Sequence, residues 1–465
     1  MNAPTIWIIL PAIIAILLMF IPSQRILSLL GGTTSAILAA AAQFVPIGEA
    51  FTIGAFSLKI DSSLSILGRM LLIKPEEGAL LALIYGAAAL WFFGAEASKT
   101  ASKLVPFGML ITTFMVASIA VEPFLFAALF IEMAALLAVP MLTSIHQPPG
   151  KGIIRFLIYQ TLAMPFLLLS GWLLAGVEAS PGDLALAAQS ASILGLGFAF
   201  LFAIFPLYNW IPMLLEEAPP YTVGFLLWLF PAITVIFAAG FIDRFSWLRS
   251  SPQLPITLQL AGAIMVVTGG LWAAFQTHIG RIMAYGSVLE TGLSLLALSL
   301  NLKTGIPILF LLLPARALAF AVWALALTIF KEHSESMRFS SVRGMLRTYP
   351  FASAGLVLAS LSTSGFPLLA GFPARLALSD FLARTSLSTA LWMGFGIIGM
   401  FITSFRMLAV LSMADEYTGW GVNENWLQGL MLGLGTIGLF ILGLFPQIVQ
   451  YFLASLPGMF EHLAQ

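Results

Sequence analysis

Six ionisable side chains sit in or beside strongly apolar stretches of this 465-residue chain. Glu132 lies midway along 126–140, with apolar residues for two turns on either side. Glu290 falls within 284–300, Arg316 beside Pro314, Arg375 just after Gly371-Phe372-Pro373, and Arg406 within 402–411. Arg155 stands near the start of a further apolar run. A charge inside a bilayer costs roughly 2.5–3.5 kcal/mol on insertion scales, so each is a candidate for function. The chemistry they suit is movement of a proton or small cation, because a carboxylate can take up and release a proton while a nearby fixed charge tunes it. Structural readings compete with this one. Glu132 and Glu290 also fit ion pairs, and Arg155 and Arg406 also fit side chains that snorkel to the membrane edge. Glu122 reads as interfacial and His278 as a solvated loop residue. None of these residues has metal-ligand or nucleophile–base spacing, and no Gly-rich phosphate loop occurs, so neither a catalytic residue nor a metal site is expected.

The elements that position these charges follow from composition. The chain is 60% hydrophobic and 9% charged, against about 25% charged for soluble domains. Its mean hydropathy is +1.02. Such a chain needs lipid to solvate its surface, which gives an all-α integral membrane protein in contact with the bilayer. Zero formal net charge gives no argument for nucleic acid. The absence of cysteine removes disulfides, thiolate zinc sites and cysteine-ligated iron–sulfur clusters. The histidines at 146, 278, 333 and 462 fall at loops or the terminus, so haem ligation between spans is not expected, and no cofactor is assigned. Met1 to Phe20 reads as a first span, because it has no basic n-region and no small-residue cleavage site.

About 20 apolar residues make a span. Fourteen windows qualify, near 5–22, 27–46, 79–97, 104–121, 123–143, 153–176, 186–210, 220–241, 256–275, 281–300, 306–329, 351–381, 386–412 and 428–454. Between the second and third lies the one sizeable loop, Val45 to Glu77, whose alternation around 51–60 predicts a small hairpin outside the bilayer. With the N-terminus outside, one set of loops holds Arg25, Lys99, Lys103, Lys151, Arg155, Arg281, Lys331, Arg338, Arg343 and Arg347. The opposite set holds Lys59, Arg69, Lys74, Arg244, Arg249, Lys303 and Arg384, and the acidic loop 178–183. The positive-inside rule then gives N-out and C-out in the cell's inner (plasma) membrane.

Prolines interrupt several spans: Pro206 with Pro212, Pro231, Pro314, and Pro367 with Gly371 and Pro373. Freed carbonyls in lipid must be satisfied by protein or water, so broken helices often line polar cavities. Two such breaks, near 206–220 and 365–373, lie in separate halves, which points to an inverted repeat and a transport site.

Several segments now carry a resemblance. Leu58-Lys59-Ile60-Asp61-Ser62-Ser63-Leu64-Ser65 precedes the third span, and Phe130-Ile131-Glu132-Met133 lies in the fifth. Pro206-Leu207-Tyr208-Asn209-Trp210-Ile211-Pro212 is followed by Glu217-Ala218-Pro219. Arg281-Ile282-Met283-Ala284-Tyr285-Gly286-Ser287 opens the tenth span, and 361–367 runs into Gly371-Phe372-Pro373-Ala374-Arg375. In this order and spacing they resemble the antiporter-like membrane subunits of respiratory complex I and of multisubunit Mrp-type sodium/proton antiporters. The resemblance implies fourteen core spans with two inverted five-helix repeats. It divides the chain into N-terminal spans over 1–100, a first repeat over 101–245, a second over 246–415, and a C-terminal span over 416–465. It also implies coupled proton or sodium movement, with other membrane subunits as partners and any NADH, flavin or iron–sulfur chemistry left to them. The long lateral helix that some relatives carry after the last span is not expected here.

Departures from the family's pattern are as informative. The resemblance implies a lysine at the position of Leu201, a second near Pro231 or Ala232, a histidine at Tyr208, an aspartate at Met213, and a histidine near Glu290. This sequence has no lysine between Lys151 and Lys303. Arg375 stands where the family has a lysine or glutamate, and arginine does not readily give up its proton. The leading expectation is therefore an antiporter-like membrane-arm subunit of a complex I-related proton-translocating oxidoreductase. Its ion path is degenerate in the first repeat, and the subunit serves largely as a spacer. Alternatives are a subunit of an Mrp-type antiporter or membrane hydrogenase, or an independent secondary transporter.

Overall fold

A computed structural model describes residues 2–463 apart from 54–55, 67, 144–147, 180–182, 301 and 414–418. His146, the turn of the acidic loop, and the boundary expected at 415 lie outside these described residues. A π-helical turn, Thr5–Ile9, leads into α1 (Leu10–Leu18) and α2 (Gln24–Phe44). Then come α3 (Gly78–Gly94), α4 (Ala101–Ala120), α5 (Ala127–Leu142), α6 (Lys151–Ala179), α7 (Leu184–Leu201), α8 (Trp210–Glu217) and α9 (Pro220–Arg244). A short α10 (Ser246–Arg249) precedes α11 (Gln253–Phe275), α12 (Ile279–Ser299) and α13 (Leu302–His333). The chain closes with α14 (Pro350–Thr363), α15 (Phe372–Thr385), α16 (Leu387–Ser412), α17 (Trp426–Leu444) and α18 (Pro446–Leu453).

Among the described residues, eleven helices are long and apolar enough to cross a membrane, and three shorter apolar helices accompany them. The centre is built from α9, α12 and α13, which are almost wholly buried. Large apolar side chains such as Ile37, Leu136, Ile256, Leu391 and Ile437 face outward from the surrounding helices. That is the arrangement lipid permits, since an outward leucine needs no polar cover there.

The expected loop hairpin is a pair of hairpins. Strand β1 (Ala50–Ile53) runs antiparallel to β2 (Phe56–Lys59), with Phe51 opposite Leu58. Strand β3 (Ser63–Ile66) pairs with β4 (Arg69–Leu72), which also pairs with β5 (Val121–Glu122).

Two expected spans are broken. The one expected over 186–210 stops at Leu201, where Ala203 takes φ +52°, and resumes as the short α8. The one expected over 351–381 is α14 and α15, joined through Gly365 (φ +77°) and Leu368 (φ +74°). Each half is 14 residues long, about 21 Å at 1.5 Å per residue, too short to cross ~30 Å of hydrocarbon alone. The last expected span, 428–454, likewise divides at Phe445, ahead of Pro446. Pro206 and Pro367 lie in the breaks, Gly371 caps α15, and Pro212 and Pro373 occupy the first turns that follow. Pro231 and Pro314 do not interrupt anything: α9 and α13 run through them. Tertiary packing overrides the local cost of a proline there, and the carbonyl one turn earlier is left for another donor.

Contacts outside the spans fall on two faces. On one, Glu122 forms a bidentate pair with Arg244 (2.5 and 2.9 Å), and Lys74 pairs with Glu461 at 2.6 Å. There the Asp243 carboxylate accepts backbone N–H bonds from Glu461, His462 and Leu463 at 2.8–3.1 Å and holds that segment in place. On the other, Lys99 pairs with Glu332 at 2.8 Å and Arg281 with Glu216.

Candidate ion-path site

The chemistry gathers where the α14–α15 break meets α12 and α13. Backbone turns fold the break tightly: Phe366 N–H donates to the Leu361 carbonyl (2.9 Å) and Phe372 N–H to Leu369 (2.9 Å), while Gly371 N–H donates to Ser362 Oγ (3.2 Å). Two glycines make a slot for the stem of Arg375. A Cβ at Gly365 would stand 2.6 Å from Arg375 Cδ, besides being strained by the positive φ, and one at Gly371 would meet the Ser362 carbonyl. Within this slot Arg375 Nη1 donates to the Gly371 carbonyl (2.8 Å) and Nη2 to Glu290 Oε1. Glu290, Arg316 and Arg375 are each no more than 3% exposed.

Arg316 enters from α13. Its Nη2 donates to the Leu227 carbonyl (2.7 Å), to Thr291 Oγ1 (3.2 Å) and to Ser287 Oγ (3.3 Å). Leu227 lies four residues before Pro231, and proline has no N–H to offer that carbonyl. The proline of α9 thus leaves an acceptor for the arginine of α13. Glu290 attracts the Arg316 guanidinium and Arg375 repels it. Arg375 pairs with the carboxylate, and the second guanidinium lies nearby on Leu227, Ser287 and Thr291. The Nε groups of both arginines are buried without a hydrogen-bond partner. An unmet buried donor costs on the order of 1–3 kcal/mol.

The N-terminal half is built differently. Glu132, on α5, is half-buried and accepts from Thr161 Oγ1 on α6 at 2.8 Å. Its Oε2 has no partner, and no ion pair reaches it among the described residues. Leu129, Met133 and Leu136 beside it face outward, so Glu132 stands near the lateral edge of the molecule. Gln160, next to Thr161, lines a cavity of about 20 Å³ with Phe156, Leu201, Phe230, Pro231, Ser287 and Thr291. That is room for about one water molecule. Leu201 and Pro231, the positions where the resemblance implies lysines, both border this largely apolar cavity. Gln160 Oε1 and Trp210 Nε1, buried at the same place, have no partner.

Of the six charges singled out from sequence, the fold brings together Glu290, Arg316 and Arg375. Glu132 stays apart. Arg155 is exposed and donates to Met213 Sδ at 3.2 Å. Arg406 donates to the Ala274 carbonyl at the end of α11 and stacks 5.4 Å from the Phe339 ring centre. His278 is not a solvated loop residue: it is half-buried and its Nδ1 accepts from Arg281 N–H at 3.3 Å, capping α12. Burial lowers its pKa from the ordinary histidine value, with Arg281 and Arg338 acting in the same sense and Glu216 against it. Sequence reasoning passed over Thr161, Gln160, Ser287 and Thr291. Hydroxyls and amides inside spans carry no charge signal, and only the charged neighbours across the fold single them out.

Broken half-helices enclosing a buried carboxylate and guanidiniums define a polytopic α-helical membrane protein of the ion-transporter type. The chain belongs to the NADH:quinone oxidoreductase/Mrp antiporter transmembrane family, whose profile matches residues 156–403, just over half of it. It is 28% identical over 330 residues to NADH-quinone oxidoreductase subunit 14 of Thermus thermophilus, covering 66% of this chain and 70% of that one. It is 26% identical over 279 residues to NADH-quinone oxidoreductase subunit N 2 of Acidobacterium capsulatum. That alignment spans only 55% of the relative's length. The fold is shared with a chain of respiratory complex I from Thermus thermophilus (TM-score 0.79, 18% identity, covering 99% of this chain and 100% of that one). It is shared also with a chain of the Mrp complex from a Dietzia species (TM-score 0.82, 14% identity, covering 100% and 99%), and with one of an archaeal membrane-bound sulfane sulfur reductase (TM-score 0.80, 18% identity, covering 100% and 99%).

Proposed function

We propose that this chain is an antiporter-like membrane-arm subunit of a multisubunit, complex I-related proton-translocating assembly, and that its two halves are unequal in ion handling. The observation that carries the reading is the uneven placement of buried charge. The C-terminal half pairs buried Glu290 with Arg375 and places the Arg316 guanidinium on Leu227, Ser287 and Thr291 nearby, whereas among the described residues Glu132 accepts only from a threonine and pairs with no cation. The N-terminal half then transmits little or no proton current, and packs as a spacer between neighbours.

Assembly with other membrane subunits is supported by Glu132 itself. A carboxylate with a buried, unpartnered oxygen close to the lateral edge of a membrane protein is costly, and a neighbouring subunit that brings a cation or hydroxyl to that edge would offset the cost. The N-out, C-out orientation in the inner membrane follows from the lysine and arginine bias of the loops. The division into repeats over 101–245 and 246–415 is supported by the two breaks, each with a residue at positive φ and a proline following.

The first experiment is to tag the chain, extract native membranes in mild detergent and identify what co-purifies. Stoichiometric iron–sulfur and quinone-binding subunits are expected. Recovery with only small membrane subunits favours an Mrp-type antiporter, and recovery alone overturns the subunit reading in favour of an independent transporter. In the intact assembly reconstituted into vesicles, Glu132→Gln is expected to leave most proton pumping in place. Abolition of pumping by that change would sink the spacer assignment.

A further inference from the structure

We propose that Ser362 is a positioning residue of the ion-path site: by holding the Gly371 N–H it fixes the carbonyl on which Arg375 rests, and so sets how Glu290 is paired. The inference deepens the reading of Glu290 and Arg375 as ion-handling groups and rests on it. Four buried hydroxyls crowd the end of α14, those of Ser360, Ser362, Thr363 and Ser364. Three of them spend their proton on their own helix. Ser360 Oγ donates to the Val357 carbonyl (2.8 Å), Thr363 Oγ1 to Ala359 (3.1 Å) and Ser364 Oγ to Leu361 (2.8 Å). Ser362 behaves differently. Among the described residues its hydroxyl donates to nothing, and its oxygen accepts the Gly371 N–H across the break at 3.2 Å.

Gly371 needs such a hold. A side chain is barred there, because a Cβ would run into the Ser362 carbonyl and Arg375 Nη1. Glycine in turn has the widest choice of backbone conformation, so something outside it must select one. Both of its backbone polar groups are committed: the N–H donates to Ser362 Oγ, and the carbonyl accepts from Arg375 Nη1 at 2.8 Å. Arg375 Nε has no partner, so the guanidinium has two holds, Glu290 and the Gly371 carbonyl. Without the Ser362 oxygen the Gly371 N–H is buried and unmet, which is unfavourable. The glycine then turns toward another acceptor and carries its carbonyl with it, and Arg375 loses one of its two holds. The α7–α8 break makes the contrast. The stretch 198–205 contains no hydroxyl, no side-chain amide and no charge, so that break carries neither the clamp nor the cation.

The test uses the intact assembly in vesicles and dicyclohexylcarbodiimide, an apolar reagent that attacks carboxyl groups free to take up a proton. Mass spectrometry reads the modification at Glu290, and proton translocation is followed on the same vesicles before the reagent is added. In Ser362→Ala the modification is expected to rise about fivefold over the wild type, the change in an equilibrium that one neutral hydrogen bond brings. Arg375→Met sets the upper limit. Ser362→Cys, of similar size but with a weaker acceptor, is expected to fall between the wild type and Ser362→Ala. Ser360→Ala removes a buried hydroxyl two residues away whose bond stays within its own helix, and is expected to leave Glu290 as in the wild type. Unchanged modification in both Ser362 variants, or an equal rise in Ser360→Ala, would overturn the positioning role. A rise confined to the Ser362 variants with undiminished proton translocation would uphold that role and instead defeat the reading of Glu290 as an ion-handling group.

Discussion

The two halves of the molecule each place one glutamate at a helix position inside the membrane, and they treat it in opposite ways. Glu290 is enclosed: Arg375 donates to it, Arg316 acts on it from α13, and the α14–α15 break supplies the carbonyl that holds Arg375 in line. Glu132 is at the edge: one hydroxyl donates to it, and its second oxygen has no partner. The α7–α8 break, which is the local counterpart of the α14–α15 break, delivers no cation. It delivers Leu201 and Phe202 to a cavity the size of one water molecule. A broken helix is therefore not sufficient for an ion site. It frees backbone carbonyls, and the residue type at the break decides whether a charge comes to meet them.

The largest expected effect is at the enclosed glutamate. Glu290→Ala leaves Arg375 buried with no counter-charge, and breaking a buried pair this way costs about 3–5 kcal/mol. The assembly's thermal midpoint should fall sharply. Glu132→Ala removes one hydroxyl hydrogen bond, worth about 0.5–1.5 kcal/mol, and should shift the midpoint far less. The pair Glu290→Gln, Arg375→Met separates structure from function. Replacing both partners by neutral groups is often close to neutral for folding, so recovered stability with lost pumping would assign the pair to ion handling. Recovered stability with intact pumping would make it a structural pin and remove the distinction between the halves.

A second change asks whether the N-terminal half is closed by chemistry or by geometry. Leu201→Lys puts an amine into a site with room for about one water. With no carboxylate bonded into that cavity, the charge should destabilise by about 3 kcal/mol. A stable Leu201→Lys variant that also raises proton flux in vesicles would show that a single side chain closes this half.

His278 offers a smaller, pH-dependent contrast on the loop face. Its pKa is lower in the folded chain than the ordinary value near 6.5, because burial penalises the imidazolium. The unfolded chain then binds the proton more readily, so the stabilising contribution is complete above about 6.5 and is lost as pH falls below it. Protonation also removes the Nδ1 acceptor that caps α12. His278→Asn keeps an acceptor without the titration and should flatten this part of the midpoint-versus-pH curve. His278→Ala should cost about 1 kcal/mol at neutral pH. A wild-type curve with no decline between pH 6.5 and 5 would contradict the assignment.

Much of this was legible in the sequence, and the illegible part has a physical cause. Glu290, Arg316 and Arg375 each announced themselves, because a charge in an apolar run is conspicuous. Their convergence did not, since 85 residues separate Arg375 from Glu290 and the geometry depends on Gly365 and Gly371. Hydropathy could not rank the helices either. The α5 segment and α9 are equally apolar, yet α9 is almost wholly buried and α5 faces outward on one side. In lipid both the interior and the exterior of the bundle accept leucine, so the inside–outside pattern that marks a soluble helix is lost.

Pro231 is the sharpest instance, because the sequence identifies the proline and not its use. In an ordinary helix interior, replacing proline by alanine would restore the missing hydrogen bond and relieve a penalty near 3 kcal/mol. In this chain the freed Leu227 carbonyl already has a donor, Arg316 Nη2 at 2.7 Å. Pro231→Ala would set the new backbone N–H in competition with the guanidinium for that oxygen. The oxygen has two lone pairs, so the bond to Arg316 should weaken rather than vanish. The net gain in stability should therefore be small, under about 1 kcal/mol, given that a typical hydrogen bond to a charged group is worth about 1.5–3 kcal/mol. The same change made in an Arg316→Met background has no such competitor and should gain more. Thermal midpoints of the four proteins form a cycle, and the expected coupling is on the order of 1 kcal/mol. If the two substitutions add within about 0.5 kcal/mol, the proline of α9 does not hold the arginine of α13. The contrast between the halves would then rest on Glu290 and Arg375 alone.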